Sequence, residues 1–154
     1  MAQSGLLSAE AVRIGVPAAT KKALFAQVGG VAQATLEFDG ELIAAGLGLR
    51  ERLGSTGFGG GVAIPHAKFA GLREVTGVLI RLAQPIAYKA VDDQPVDIVF
   101  AMLSPTDAGA DHLKALAQVS RRLRDGQFVA KLRGAGSPDA LFALWTAEDG
   151  RHAG

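Results

Sequence analysis

The sequence predicts an α/β fold, a three-layer sandwich in which a mixed β-sheet is flanked by helices on both faces. Three observations predict it. Capped segments with helical spacing lie towards both ends of the chain, and the middle holds apolar runs of strand length bounded by turn residues. One of those runs, "PVDIVFAML" at 95–103, is mostly apolar and bounded by prolines, which suits a strand buried on both faces. Helices first, strands in the middle and helices last imply a layered arrangement around a mixed sheet.

The elements follow in order. Val12 and Ile14 suggest a short first strand. Thr20 reads as an N-cap, with "KKALFAQVGGVAQAT" helical behind it, and Gly29 with Gly30 is expected to weaken or break that helix by roughly 1 kcal/mol per glycine. Asp39 caps a second helix, "GELIAAGLGLRERL", in which Leu42, Ile43, Gly46, Leu47 and Arg50 share helical spacing and Gly54 is the stop. "VAIPH" (62–66) reads as a strand end, "VTGVLIRLA" (75–83) as an alternating strand, and "IAYKAVDDQ" (86–94) as an edge strand and turn. "DHLKALAQVSRRLRDG" carries a helical stripe of Leu113, Leu116, Ala117, Ser120 and Leu123, ended by Gly126, and "QFVAKLRG" is a short helix after it. "SPDALFALWTAED" has the plainest start signal, with Ser137 as N-cap, Pro138 at the first helical position and Asp139 next. Residues 1–154 form a single domain in this reading, with frayed ends at 1–5 and 150–154.

Composition narrows the function. A formal net charge of +1 is too balanced for bulk attraction to nucleic acid or a membrane surface. The absence of cysteine excludes disulfides, thiolate catalysis and cysteine metal sites. "MAQSGLLSAEAVRIG" lacks the basic start and long apolar stretch of a signal peptide, no apolar segment approaches membrane-span length, and a cytoplasmic location without membrane insertion is expected. Neither a nucleotide-binding glycine fingerprint, nor a nucleophile elbow, nor a metal-ligand pattern is present, so no cofactor and no metal are expected.

Glycine is the oddity, at 20 of 154 residues, about twice the usual ~7% share. Gly54, Gly57, Gly59, Gly60 and Gly61 crowd into "GSTGFGGG", just before "VAIPHAK". Pro65 fixes its own φ and pushes Ile64 towards extended backbone, so His66 follows a rigid approach. Neutral imidazole is a good nucleophile near pH 7 when one ring nitrogen is held as a donor. A strand-end histidine packed on a loop is the alternative. The glycines either let backbone amides cradle an anion or form a flexible turn. His112 opens a helix whose N-terminal partial charge disfavours a cation and welcomes an anion. It is either a donor to a charged ligand or to the His66 ring, or an ordinary first-turn residue with Asp111 as the cap. Arg50 and Arg52 end the second helix; arginine's planar fork suits phosphate, and a solvated helix end favoured by the dipole is the alternative and the usual case.

The stretch "LRERLGSTGFGGGVAIPHAK" (49–68) closely resembles the active-site segment of enzyme IIA domains of the bacterial phosphotransferase system, of the fructose/mannitol class and most like its nitrogen-regulatory branch. The resemblance extends to "GVPAATKKALFAQV", "VDIVFAMLSP" and "DHLKALAQVSRRLRD". It implies a phosphohistidine phosphocarrier: His66 accepts a phosphoryl group from an HPr-like carrier through the ring nitrogen remote from the backbone. His112 then contacts that group, and Arg50 helps neutralise it. Thr56, Gly57, Gly59 and Gly61 would form the phosphoryl-binding loop. Phe58, Ile64 and Phe69 would form an apolar docking ring for the carrier, though Phe58 and Phe69 suit a core equally well. Ala67 stands where the family usually has glycine, and Gly60 where relatives often carry a polar residue. Two onward fates are open: regulation through phosphorylation-dependent binding of target proteins, which "GSTG" favours, or transfer to a IIB component for carbohydrate uptake.

Overall fold

The computed structural model describes residues 6–153, with side chains to residue 147. A 3-10 turn at Ala9–Ala11 leads into β1 (Val12–Val16), then α1 (Lys21–Leu36) and α2 (Gly40–Arg52). Short strands β2 (Gly57–Gly59), β3 (Val62–Ala63) and β4 (His66–Phe69) precede the long strands β5 (Thr76–Ile86) and β6 (Val96–Pro105), and α3 (Ala110–Leu123), α4 (Gly126–Gly134) and α5 (Pro138–Ala153) close the chain. The expected fraying at 1–5 lies outside the described residues, while the backbone of 150–153 continues α5.

Capping residues set the helix ends much as the sequence implies. Thr20 accepts the Ala23 amide, Asp39 those of Glu41 and Leu42, Asp125 those of Gln127 and Phe128, and Ser137 that of Ala140. α1 does not break at its glycine pair. Gly29 instead lies against Gly40 at the start of α2, where a side chain on either glycine would collide with the other's backbone. The pair therefore buys a close helix crossing rather than a kink.

The sheet runs β1-β5-β6-β3-β2, with β4 also against β6 beyond β3. β5 and β6 are antiparallel, β1 is parallel to β5, β3 and β4 are parallel to β6, and β2 returns antiparallel on β3, so the sheet is mixed. Register fixes its two faces, because paired residues share a face and the side-chain period is two. Phe100, opposite Leu79, stacks on Trp145 of α5 with ring centres 4.8 Å apart. Arg81, two residues from Leu79, donates from Nη1 to the carbonyls of Leu132, Arg133 and Ala135 and so caps the end of α4. Phe69 points the other way, its ring filling the gap left by Gly46 of α2 and meeting Phe38 edge-on at 6.1 Å. Helices α1 and α2 thus cover one face and α3, α4 and α5 the other.

Residues 86–94 depart from expectation. β5 extends to Ile86 and no edge strand follows it; Tyr88 to Gln94 form a loop. The ladder to β6 is interrupted between Arg81 and Ile86, where Pro85 has no amide to give, and resumes at Ile86 opposite Val96. Among the described residues no helix is long and apolar enough to cross a membrane.

Candidate functional site

Pro65 and the register of β6 place His66. The Pro65 carbonyl accepts the Met102 amide at 2.8 Å, and His66 opens β4 opposite Met102 rather than trailing a strand end. Two residues on, Lys68 lies opposite Ser104. Met102 and Ser104 share the α3 face, and the Ser104 hydroxyl sits 2.7 Å from His112 Nδ1. The two imidazoles therefore converge from sheet and helix, with ring centres 5.8 Å apart.

The His66 ring is half-buried, and its Nδ1 lies 2.7 Å from the Ile64 carbonyl. A carbonyl only accepts, so Nδ1 carries the proton and Nε2 keeps its lone pair. Burial lowers the His66 pKa, and the Arg50 guanidinium lowers it further, against the raising effects of the Ile64 hydrogen bond and Glu51. Burial likewise lowers that of His112, assisted by the positive fields of His66 and Lys68. Both shifts favour the neutral imidazole. The unfolded chain binds protons more readily than the fold at these two positions. Their stabilising contribution is complete above the ordinary histidine value of ~6.5 and is lost as pH falls through it towards the lowered folded values. Titration of the imidazole resonances by NMR is expected to give midpoints for both below that ordinary value; a midpoint at or above it for His66 would overturn this account.

Arg50, in the last turn of α2, is half-buried and donates from Nη1 to the Gly54 carbonyl at 3.0 Å. Arg52, in the same last turn of α2, is exposed. His112 is buried in the first turn of α3, whose N-cap is Gly109; Asp111 makes no cap bond. Thr56 is buried, its hydroxyl 2.6 Å from Glu51 Oε1, and its carbonyl accepts the Ile64 amide at 3.0 Å. It shapes the His66 approach from behind rather than offering a free hydroxyl. Gly57 is packed against Ala90 and Tyr88 with no room for a side chain.

The glycine tip is not a cradle around the ring. Gly59, Gly60 and Gly61 turn the β2–β3 hairpin with φ of 117°, 67° and 80°. The tip is held by Asp92, which accepts the Gly60 amide, and by Arg133, which donates to the Gly60 carbonyl and pairs with Asp97 at 2.8 Å. Val62 pairs with Ile98 and His66 with Met102, a separation of roughly 13 Å along β6 at ~3.3 Å per residue. Gly59 and Gly61 serve the turn. Gly60, whose side chain the resemblance made notable by its absence, sits at this same remote tip. Ala67 lies in the extended strand opposite Leu103, a setting that makes no special demand for glycine.

The expected docking ring is corrected as well. Ile64 and Phe69 are core residues, 4% and 7% exposed. Phe58 is half-buried under Arg124, whose guanidinium lies 5.6 Å from its ring, at the far end of α3 from His112. Apolar side chains that do stand in the open beside Arg50 and His112 are Leu49, Leu53 and Leu113, at 59%, 84% and 66% exposure. Sequence reasoning put Leu113 in the helical stripe of α3, which its exposure corrects, and passed over Leu49, Leu53, Glu51 and Ser104. A glutamate next to a site arginine and a lone hydroxyl ending an apolar strand were the signals available. Among the described residues no group of three histidine or acidic side chains could hold a metal.

The arrangement presents one nucleophilic nitrogen, a neighbouring neutral imidazole, a guanidinium and a helix N-terminus. That combination suits acceptance of an anionic electrophilic group, for which a phosphoryl group is the simplest case. Residues 5–147 match the family model described as phosphoenolpyruvate-dependent sugar phosphotransferase system, EIIA 2. A nitrogen regulatory protein of Escherichia coli K12 is 38% identical over 149 residues, covering 96% of this chain and 91% of that protein. One from Bradyrhizobium diazoefficiens is 48% identical over 95 residues, 62% of each chain. The crystal structure of nitrogen regulatory protein IIA-Ntr from Neisseria meningitidis superposes with a TM-score of 0.85 at 30% identity, over 91% of this chain and 96% of that one.

Proposed function

We propose, for a chain that belongs to the phosphoenolpyruvate-dependent sugar phosphotransferase system EIIA 2 family, that it is a cytoplasmic phosphocarrier and regulator which takes a phosphoryl group from an HPr-like protein onto His66 Nε2. The observation that carries this reading is the 2.7 Å bond from His66 Nδ1–H to the Ile64 carbonyl, which leaves Nε2 as the reactive nitrogen beside His112 and Arg50.

In the proposed reaction the P–N bond of the carrier's phosphohistidine breaks as a P–Nε2 bond to His66 forms. The carrier imidazole leaves with the electron pair, and the proton stays on His66 Nδ1, donated to the Ile64 carbonyl, throughout. Little covalent work falls to the protein, so positioning and charge stabilisation dominate. Arg50 meets charge spreading over the equatorial oxygens, and the α3 N-terminus adds a fixed dipole. His112, held through Nδ1 by Ser104, offers Nε2 to the same group. Leu49, Leu53 and Leu113 form the apolar rim on which the carrier docks and from which water is expelled.

Phosphorylation adds about −1.5 to −2 charges at the surface between these leucines, enough to change which partners bind there. The full-length similarity to nitrogen regulatory proteins supports regulation as the outcome. Incubation with phosphorylated carrier is expected to add one phosphoryl group per chain by intact mass. The phosphorylated and unphosphorylated forms are then expected to retain different proteins in pull-downs. Identical partner sets, or rapid onward passage of the phosphate to a IIB component, would overturn the regulatory half. Arg50→Ala is expected to slow phosphorylation roughly 10²-fold, the cost of one preorganised donor, with the melting temperature little changed. A collapse of the fold would instead make Arg50 structural.

A further inference from the structure

We propose that Glu51 is a positioning residue for this transfer, one carboxylate that holds both the His66 ring and the partner of Arg50 in place; the proposal rests on the phosphoacceptor reading above.

The Glu51 side chain is only 7% exposed, and its polar neighbours are Lys21, Thr56 and Tyr88. Oε2 accepts Lys21 Nζ at 2.9 Å and the Thr56 amide at 3.0 Å. Oε1 accepts the Thr56 hydroxyl at 2.6 Å and lies 3.4 Å from the Tyr88 hydroxyl. With its single proton given to Glu51, the Thr56 oxygen is left to accept from the fully buried Tyr88, 2.9 Å away. A buried carboxylate is costly unless its lone pairs are met, and here they are. Burial acts to raise the Glu51 pKa, but the bonds from Thr56 and Lys21 prevail and keep it below the usual value.

What this cluster holds is the site. Thr56 is tied to Glu51 through both its amide and its hydroxyl, and the Thr56 carbonyl takes the Ile64 amide. The Ile64 carbonyl in turn takes His66 Nδ1–H. The path from carboxylate to nucleophile is thus Glu51 to Thr56 to Ile64 to His66, with each link a hydrogen bond or a single residue. The same loop presents the Gly54 carbonyl that anchors Arg50. Gly54, at φ 153° with open space where a side chain would stand, offers the loop no packing of its own. Withdrawal of the Glu51 charge frees Thr56, lets the Ile64 carbonyl drift, and removes the bond that selects the Nδ1–H tautomer.

Two measurements on Glu51→Gln decide the matter. The variant keeps the side chain's size but replaces one acceptor with a donor facing donors. Ring nitrogen NMR of the native protein is expected to show His66 in the single Nδ1–H tautomer, and the variant a mixture. Phosphorylation by phosphorylated carrier, measured well below each melting temperature, is expected to fall roughly 10- to 100-fold, the scale of a small misplacement of a reacting group. A folded variant with one tautomer and a rate within about two-fold of native would overturn the proposal, whatever its melting temperature. Should Glu51→Gln fail to fold, Thr56→Val removes one of the two ties and is expected to give tautomer mixing and a smaller loss of rate; native behaviour there would overturn the proposal equally. Failure of the native protein to accept phosphate would sink the phosphoacceptor reading instead, and the tautomer measurement, which needs no carrier, still decides whether Glu51 sets the ring.

Discussion

His66→Ala is expected to abolish phosphoryl acceptance, with a loss of roughly 10⁴-fold or more, the scale on which removal of a covalent nucleophile acts. Among the described residues, His112 is the one other imidazole near it. Its ring is 8% exposed and its Nδ1 is engaged with Ser104, so an incoming carrier meets no second open nucleophile. The fold should tolerate the change: His66 is half-buried, makes one side-chain hydrogen bond, and opens a strand already fixed to β6 through Pro65 and Ala67. A melting temperature within a few degrees of native, with no phosphate gained, is the expected pair of results. Equal phosphate gain in the variant would place the acceptor elsewhere and end the assignment. His112→Ala is a graded comparison, because it leaves the nucleophile and removes a neighbour. It is expected to slow the transfer without abolishing it.

How far this site could be read from residue order depends on which interactions are local. The His66 approach was legible because proline, its neighbours and the ring all act within three residues, and the Nδ1 bond to Ile64 spans only two. His112 at a helix start was legible from the change of pattern at "SPTDAGADHL". Its partner Ser104 was not, since that contact depends on β6 delivering a hydroxyl under α3. The glycine cluster misled for the same reason. Five glycines before a histidine suggest a cradle, but strand register carries the hairpin tip down β6 to Asp97 and Arg133 while His66 stays beside Met102. Phe69 was ambiguous between docking and core; the hole opposite Gly46, on an element more than twenty residues earlier, decided for the core. Glu51 went unnoticed because a glutamate beside an arginine near a helix end is ordinary until tertiary contact buries it.

The glycine pair in α1 turns the same lesson into a stability prediction with opposite signs at adjacent positions. A methyl group at Gly29 would collide with the Gly40 carbonyl oxygen and stand 3.0 Å from its carbon. The obstacle is backbone at the start of a second helix, not the end of a flexible side chain, so relief requires α1 and α2 to move apart. Buried Leu24, Val28, Ile43 and Leu47 would lose packing with them. Overpacking of this kind costs about 1–3 kcal/mol and more where backbone must shift, against a gain of at most ~1 kcal/mol from helix propensity. Gly29→Ala is therefore expected to destabilise by about 2–3 kcal/mol, a fall of roughly 5–10 °C for a chain of this length. A methyl group at Gly30 meets nothing within 4 Å and points to solvent. Gly30→Ala is expected to stabilise by about 0.5–1 kcal/mol through propensity and reduced freedom of the unfolded chain. Urea denaturation of the two variants tests the helix crossing directly. If both alanines stabilise, the close approach of α1 to α2 is wrong; if both destabilise, the open space at Gly30 is wrong. Since α2 carries Arg50 and Glu51, the Gly29 variant should also slow phosphorylation below its melting range, whereas the Gly30 variant should leave the rate unchanged.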